Sequence, residues 1–485
     1  MKNPLKSEGT KILLLTPPYD LQERGGVLAP LAADLPSLGL MFLAAAARES
    51  GHRAAICDAS AQRLSLAEVM GAVHRHRPEV VGISSTTPSI SRAGSLAGRI
   101  KQEMPEAAVL LGGPHATAVP ERTLERYPAF DGMVVGEGER TLQEVADRWP
   151  DRSWREIPGL VLRDRDGGIV RNEPRALLKD IDLLPWPAWD LLSGFPQAFR
   201  PAFFKSRSWP AAHFVTSRGC PHRCIFCDTS VFSRSIRYHG AEYVLEVLGE
   251  LYGRYGVREV SFEDDMFMGN RRRLEAICEG IIRKGLRLTW TCSARVNSVS
   301  REVLELFRKA GCWQIAYGIE SGCQQILDLA QKGTEVEQVR EALELTREAG
   351  IKTRGFFIYG FPLETEQTMR STLDFAKSLP LDDASLMLMT PFPGSAMHEI
   401  APQYGELDDD WDRMNLLDTV FVPQGLSAEI LQQWRHRFIR EFYLQPRVLL
   451  SYLGQGLASP RAGLRLARSA AGFFLRHGNG HEKPG

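Results

Sequence analysis

Ser217-Arg218-Gly219-Cys220-Pro221-His222-Arg223-Cys224-Ile225-Phe226-Cys227 is the stretch from which the rest of the chain can be read. Its three cysteines, four and then three residues apart, lie just after a run expected to be a strand. Three thiolates can hold three irons of a 4Fe–4S cluster and leave the fourth open, as a catalytic metal centre requires. A structural zinc site is the competing reading. It needs a fourth Cys or His at a recognisable spacing, and His222, between the first two cysteines, is poorly placed to supply it. Eight cysteines in 485 residues do not make a disulfide framework. Clustered in a reducing compartment, cysteines read as metal ligands or catalysts.

Outward from the triplet, residues 213–395 keep a regular β/α rhythm. Strands are expected at 213–217, 259–262, 288–293, 314–318, 353–359 and 385–389, with helical stretches between them. Six such units make an incomplete (β/α)6 barrel, whose chemistry belongs at the C-terminal ends of its strands. Residues 10–150 show a second alternation, with strands expected at 11–15, 53–57, 80–84, 107–111 and 132–135 and a helix at 38–50. That pattern predicts a doubly wound, Rossmann-like parallel sheet. Such sheets bind ligands beyond the carboxyl ends of their strands, where this sequence places Ser84-Ser85-Thr86-Thr87, Gly112-Gly113-Pro114-His115 and Gly136-Glu137-Gly138-Glu139. Residues 151–212, with a hairpin signal at Asp166-Gly167-Gly168 and the segment Leu184-Pro185-Trp186-Pro187-Ala188-Trp189, are expected to connect the two units. Residues 396–485 are expected to be mainly helical.

Cys-x3-Cys-x2-Cys with an aromatic residue, Phe226, before the last cysteine resembles the signature of radical S-adenosylmethionine (SAM) enzymes, and the resemblance covers the whole 213–395 barrel. It implies that Cys220, Cys224 and Cys227 hold the cluster and that SAM chelates the open iron. One electron then splits SAM to methionine and a 5′-deoxyadenosyl radical, which abstracts hydrogen from a substrate. An electron donor such as flavodoxin or ferredoxin is implied with it. The protein's part is to hold SAM and exclude water. Residues at the strand ends supply candidates: Glu263 and Asp264 for the SAM amino group or ribose, or as a helix N-terminal charge cluster, and Arg295 as a fork for the SAM carboxylate. Glu320 and Ser321, in Gly318-Ile319-Glu320-Ser321-Gly322, resemble the family's polar segment facing SAM. Cys278 and Cys323 read as packing residues.

The order of doubly wound domain, connector, radical SAM barrel and helical tail is similar to the cobalamin-dependent radical SAM group. That resemblance implies that Ser84, Gly112, Gly113, His115, Gly136 and Glu137 line the corrin and its nucleotide tail. The chain departs from the best-known cobalamin pattern. No Asp-x-His-x-x-Gly follows the first strand, and the loops offer Pro17-Pro18-Tyr19-Asp20 and Asp58-Ala59-Ser60 instead. A lower-face histidine on cobalt is therefore not expected. A first domain that binds no cobalamin is the alternative.

Composition narrows the rest. Fifty-nine basic side chains balance 59 acidic ones, so no charge excess points to nucleic acid. No apolar run reaches the length of a membrane span and no signal region opens the chain, so a cytoplasmic location is expected. Beyond residue 446, Arg461, Arg465 and Arg468 share one helical face and Leu466, Ala470, Phe473 and Phe474 another. Such a helix can lie on an anionic membrane at the inner face, which would suit a lipid-like substrate, or simply pack on the barrel. The expected function is methylation of an unactivated carbon in a small-molecule or lipid-like substrate. Ring formation or rearrangement without methyl transfer is the alternative. A methylthiotransferase would need a second cluster, and only Cys57 lies upstream of the triplet. A non-enzymatic cobalamin sensor leaves the triplet unexplained. No catalytic residue beyond the cysteines is legible.

Overall fold

A computed structural model of the chain describes residues 9–18, 35–164, 166–202 and 205–458. The first sheet begins with β1 (Lys11–Thr16), β2 (Arg53–Asp58), β3 (Val80–Ser84), β4 (Ala108–Gly112) and β5 (Gly132–Val134), parallel to one another in the order β2-β1-β3-β4-β5. Their apolar runs are buried on both faces because helices cover both sides, the usual state of a parallel strand. The expected hairpin forms as β6 (Leu160–Arg163) and β7 (Ile169–Arg171). β6 adds antiparallel to β5 at the edge of this sheet, and β7 pairs antiparallel with β6 beyond it.

Chain order reverses between β1 and β3, and a doubly wound sheet opens its ligand crevice at such a switch. Asp58 shapes that end of the sheet. It accepts hydrogen bonds from Thr16 Oγ1 at 2.7 Å and from the Ser37 amide at 2.6 Å. It thereby joins the ends of β1 and β2 to the helix Leu38–Glu49, which Ser37 caps. Tyr19 and Asp20, read as part of the first loop, lie outside the described residues, as do Arg461, Arg465, Arg468, Leu466, Ala470, Phe473 and Phe474 of the tail.

The second sheet is wholly parallel. Its strands are β8 (Ala211–Phe214), β11 (Glu259–Phe262), β12 (Thr289–Ala294), β13 (Cys312–Glu320), β14 (Lys352–Tyr359) and β15 (Asp383–Leu388), side by side in chain order. Between β8 and β11 a short antiparallel ribbon, β9 (Ser217–Arg218) against β10 (Arg237–Tyr238), closes the cysteine-bearing loop. This is the partial barrel expected, with a core of Phe262, Phe267, Trp290 and Phe307.

The first barrel strand lies earlier than expected. The apolar run Ala211–Phe214 pairs, whereas Thr216 and Ser217 leave the ladder and donate to Asp264 instead. The C-terminal region is helical at Ala396–Tyr404, Ala428–Tyr443 and Pro446–Ala458, with a small hairpin of β16 (Gly405–Leu407) and β17 (Phe421–Pro423). Leu431, Trp434, Phe438 and Phe442 pack on the barrel, while Trp411, Met414 and Val420 reach into the core of the first domain. Among the described residues no helix is long and apolar enough to cross a membrane.

Candidate functional site

The loop carrying the cysteines is held by backbone constraints that its sequence supplies. Gly219 adopts φ +89°, and a Cβ there would come within 2.6 Å of the Ser235 carbonyl oxygen, so only glycine fits. The Cys220 amide donates to Ser233 O at 3.4 Å and the Ile225 amide to Ala330 O at 3.1 Å. Ile225 O in turn accepts from the Met397 amide at 2.8 Å.

Around Cys224 the neighbouring charged side chains are positive. Arg295 donates to Cys224 Sγ at 3.7 Å and to the Lys332 carbonyl oxygen. A hydrogen bond from Cys227, followed by the charges of Lys332 and Arg295, holds the Cys224 thiol below the usual thiol range despite its burial. Burial pushes Cys220 the other way. Metal ligation needs thiolates, and a cationic surround is what stabilises them.

One cavity of about 600 Å³ is faced by Cys220, Cys224 and Cys227 on one side and by Ser84, Gly112, Gly113, Gly136 and Glu137 on the other. Leu14, Ile83, Leu110 and Val134, from β1, β3, β4 and β5, give it an apolar floor at the switch point. Gly113 sits at φ +92°, and a Cβ on it would lie 2.9 Å from Ser84 Oγ and 3.0 Å from Ser85 O. Gly136, at φ +77°, is likewise in the left-handed region. Gly113 thus packs directly on Ser84 and Ser85, and a side chain at either glycine would be held in a strained backbone conformation.

Glu137 is engaged as well. It accepts from Arg218 and Arg237, each at 2.8 Å, while Arg218 reaches Glu139 at 2.6 Å. Burial would raise the Glu137 carboxyl, but the two guanidiniums outweigh it and hold it below the carboxylate range.

The other expected residues stand behind the wall of this cavity. His115 is fully buried, its Nδ1 3.1 Å from Thr87 Oγ1 and its Nε2 3.2 Å from Thr123 Oγ1, with Trp411 edge-on at 4.5 Å. Glu263 is taken by Lys205 at 3.1 Å and Ser261 at 2.6 Å. Asp264 accepts from Thr216 and Ser217, and burial foremost raises its carboxyl to about 6. Its neighbour Asp265 does line the cavity. Glu320 sits at φ +66° and pairs with Lys332 at 2.7 Å. Gly318 makes room for that pair, since a Cβ there would lie 2.6 Å from the Glu320 carboxylate. A non-glycine residue held at positive φ marks stored strain, which collects at functional sites. Ser321 bonds Thr372 Oγ1 at 3.0 Å, and Phe226 packs edge-on against Phe361.

Sequence reasoning missed Arg237 and Lys332, gave Arg218 no role, and named Glu139 only as part of its motif. The one available signal was Arg218 itself, a charged residue inside an otherwise cluster-binding motif. It missed Glu364 too, which accepts from the Gly360 amide at 3.0 Å and holds the turn after β14.

A cysteine-bearing loop at the mouth of a partial barrel, facing the glycine-lined switch point of a doubly wound domain, defines a two-cofactor radical enzyme. Residues 24–146 match the B12 binding domain and residues 214–376 the radical SAM superfamily. The chain is 34% identical over 444 residues to an uncharacterized methyltransferase of Pyrococcus horikoshii, a match spanning 91% of this chain and 94% of that one. It belongs to the cobalamin-dependent radical SAM family and is a radical SAM enzyme. It is also similar to the anaerobic magnesium-protoporphyrin IX monomethyl ester cyclase of Cereibacter sphaeroides, at 29% identity over 97% of this chain and 76% of the cyclase. In fold it resembles the radical SAM methyltransferase TsrM of Kitasatospora setae, solved with cobalamin and a [4Fe–4S] cluster bound. There the TM-score is 0.70, with 18% identity over 90% of this chain and 89% of that one. The cofactors of its family are the 4Fe–4S cluster, SAM and cobalamin expected from the sequence.

Proposed function

We propose that the chain is a cobalamin-dependent methyltransferase that acts on an unactivated carbon of a small, largely apolar molecule. The observation that carries this reading is the single cavity faced at once by all three cysteines and by Gly112, Gly113 and Gly136. Bound there, the cluster with SAM supplies a hydrogen-abstracting radical, and cobalamin supplies a transferable methyl group. The protein's contributions follow from its own residues. Cys220, Cys224 and Cys227 ligate the cluster, and Arg295 and Lys332 neutralise the charge that this brings into the barrel. Gly113 and Gly136 keep the opposite wall open to the corrin. The apolar floor of Leu14, Ile83, Leu110 and Val134 excludes water from reactive species.

Similarity to an anaerobic cyclase supports a second reading, ring formation without methyl transfer. The two differ in product. Reconstituted protein incubated anaerobically with SAM, reductant and cobalamin is expected to release both 5′-deoxyadenosine and S-adenosylhomocysteine. Release of 5′-deoxyadenosine alone favours ring chemistry. Release of neither contradicts both.

A further inference from the structure

We propose that Arg218 is a positioning residue that sets the separation of the two cofactors by tying the cluster loop to the cobalamin-side loop. The inference rests on the reading that one cavity receives both.

Arg218 lies two residues before Cys220, so its backbone cannot move without moving the first cluster ligand. Its two guanidinium arms end on different carboxylates of the loop after β5: Nη1 on Glu137 at 2.8 Å and Nη2 on Glu139 at 2.6 Å. Between them lies Gly138, which with Gly136 and Glu137 lines the same cavity as Cys220. Arg237, paired with Arg218 across the β9–β10 ribbon, holds the second Glu137 oxygen at 2.8 Å. The rings of Phe42 and Phe232 flank the Arg218 guanidinium, each centroid 5.3 Å away. The side chain is only 7% exposed.

Burial decides the strength of the tie. Other ion pairs join distant parts of the chain, such as Arg122–Asp409 and Arg48–Asp190, but they are about half exposed on the arginine side. Exposed pairs are screened and let their partners drift. Parting Arg218 from Glu137 and Glu139 would strand charges in a water-poor interior, so the two loops move together. Geometry decides the residue type. A planar fork can bridge two carboxylates at once, whereas a lysine ammonium is a single point charge. Arg218 acts through the loops it joins.

The test is the distance between Co(II) cobalamin and the reduced cluster in the reconstituted holoenzyme, read by pulsed dipolar electron paramagnetic resonance. The native protein is expected to give one narrow distance distribution. Arg218→Met and Arg218→Lys are both expected to lose it to a broad one, with cobalamin and iron still bound. The lysine result separates fork geometry from charge. Should Arg218→Met fail to fold, Glu139→Gln, which keeps the side-chain shape and removes one arm's ionic partner, serves the same comparison. A variant distribution as narrow as the native one, at the same distance, overturns the inference and leaves the proposed function standing. Native protein that binds both cofactors with no dipolar coupling overturns the shared cavity, and the inference with it.

Discussion

Arg295 points its guanidinium at the sulfur of Cys224, 3.7 Å away, and anchors its other arm on the Lys332 carbonyl oxygen. Expected from the sequence to fork onto a carboxylate of SAM, it stands beside a cysteine expected to hold the cluster. A buried hydrogen bond to a charged group contributes about 1.5–3 kcal/mol, enough to weaken ligation tenfold or more. Arg295→Leu should therefore lose its iron to a competing chelator at about tenfold lower chelator concentration than the native protein, with an unchanged circular dichroism spectrum. Iron held as firmly as in the native protein would sink the assignment.

The cysteines separate by role. Cys220→Ala, Cys224→Ala and Cys227→Ala should each abolish cluster absorbance and SAM cleavage. Cys278, buried on the helix Arg271–Arg283, and Cys323, which caps the helix Gln324–Leu329, face no part of the cavity. Alanine at either should leave both signals largely intact, and a full cluster in Cys224→Ala defeats the ligand assignment.

Gly113→Leu should empty the cobalamin site without touching the cluster. A side chain there meets Ser84 Oγ and Ser85 O within 3.0 Å and must also be held at positive φ. Cobalt and iron analysis of the purified variant checks this: cobalt lost, iron kept. Cobalt retained at the native level would remove the glycine wall from the account.

His115 predicts a pH dependence. Burial, reinforced by the charges of Arg122 and Arg126, lowers it to about 4 from an ordinary value near 6.5. The folded state thus binds fewer protons than the unfolded chain between those values, so its contribution is full above pH 6.5 and is lost as pH falls towards 4. Between pH 7 and 5 the native protein should lose about 2 kcal/mol more stability than His115→Gln. Parallel unfolding curves of the two proteins over that range would contradict it. Because both ring nitrogens are engaged by threonines, His115 should supply no nitrogen to bound Co(II) cobalamin, and His115→Gln should leave its electron paramagnetic resonance spectrum unchanged.

Local patterns carried most of the fold. Val80–Ser84 and Glu259–Phe262 lie where the apolar runs put them, since a buried parallel strand advertises itself by β-branched residues between turn signals. The strand expected at 213–217 slid because Asp264, far along the chain, takes the Thr216 amide, and Ser217 pairs with Tyr238 in the β9–β10 ribbon instead of the barrel sheet. Nothing local marks that exchange. The edge pairing of β6 and β7 was equally hidden, as a hairpin does not specify which sheet it joins. In the site, glycines and cysteines were legible because their chemistry is set by the backbone or the thiol alone. The polar residues were not, since a carboxylate at a strand end reads the same whether it meets a ligand or, like Glu263, a lysine from another loop.

The shared cavity is tested most directly by anomalous diffraction from the holoenzyme at the iron and cobalt edges. The iron peak should sit against Cys220, Cys224 and Cys227, and the cobalt peak beside Gly113 and Gly136 on the opposite wall of the same cavity. Cobalt absent from the crystals, or lying away from the ends of β4 and β5, would contradict the account.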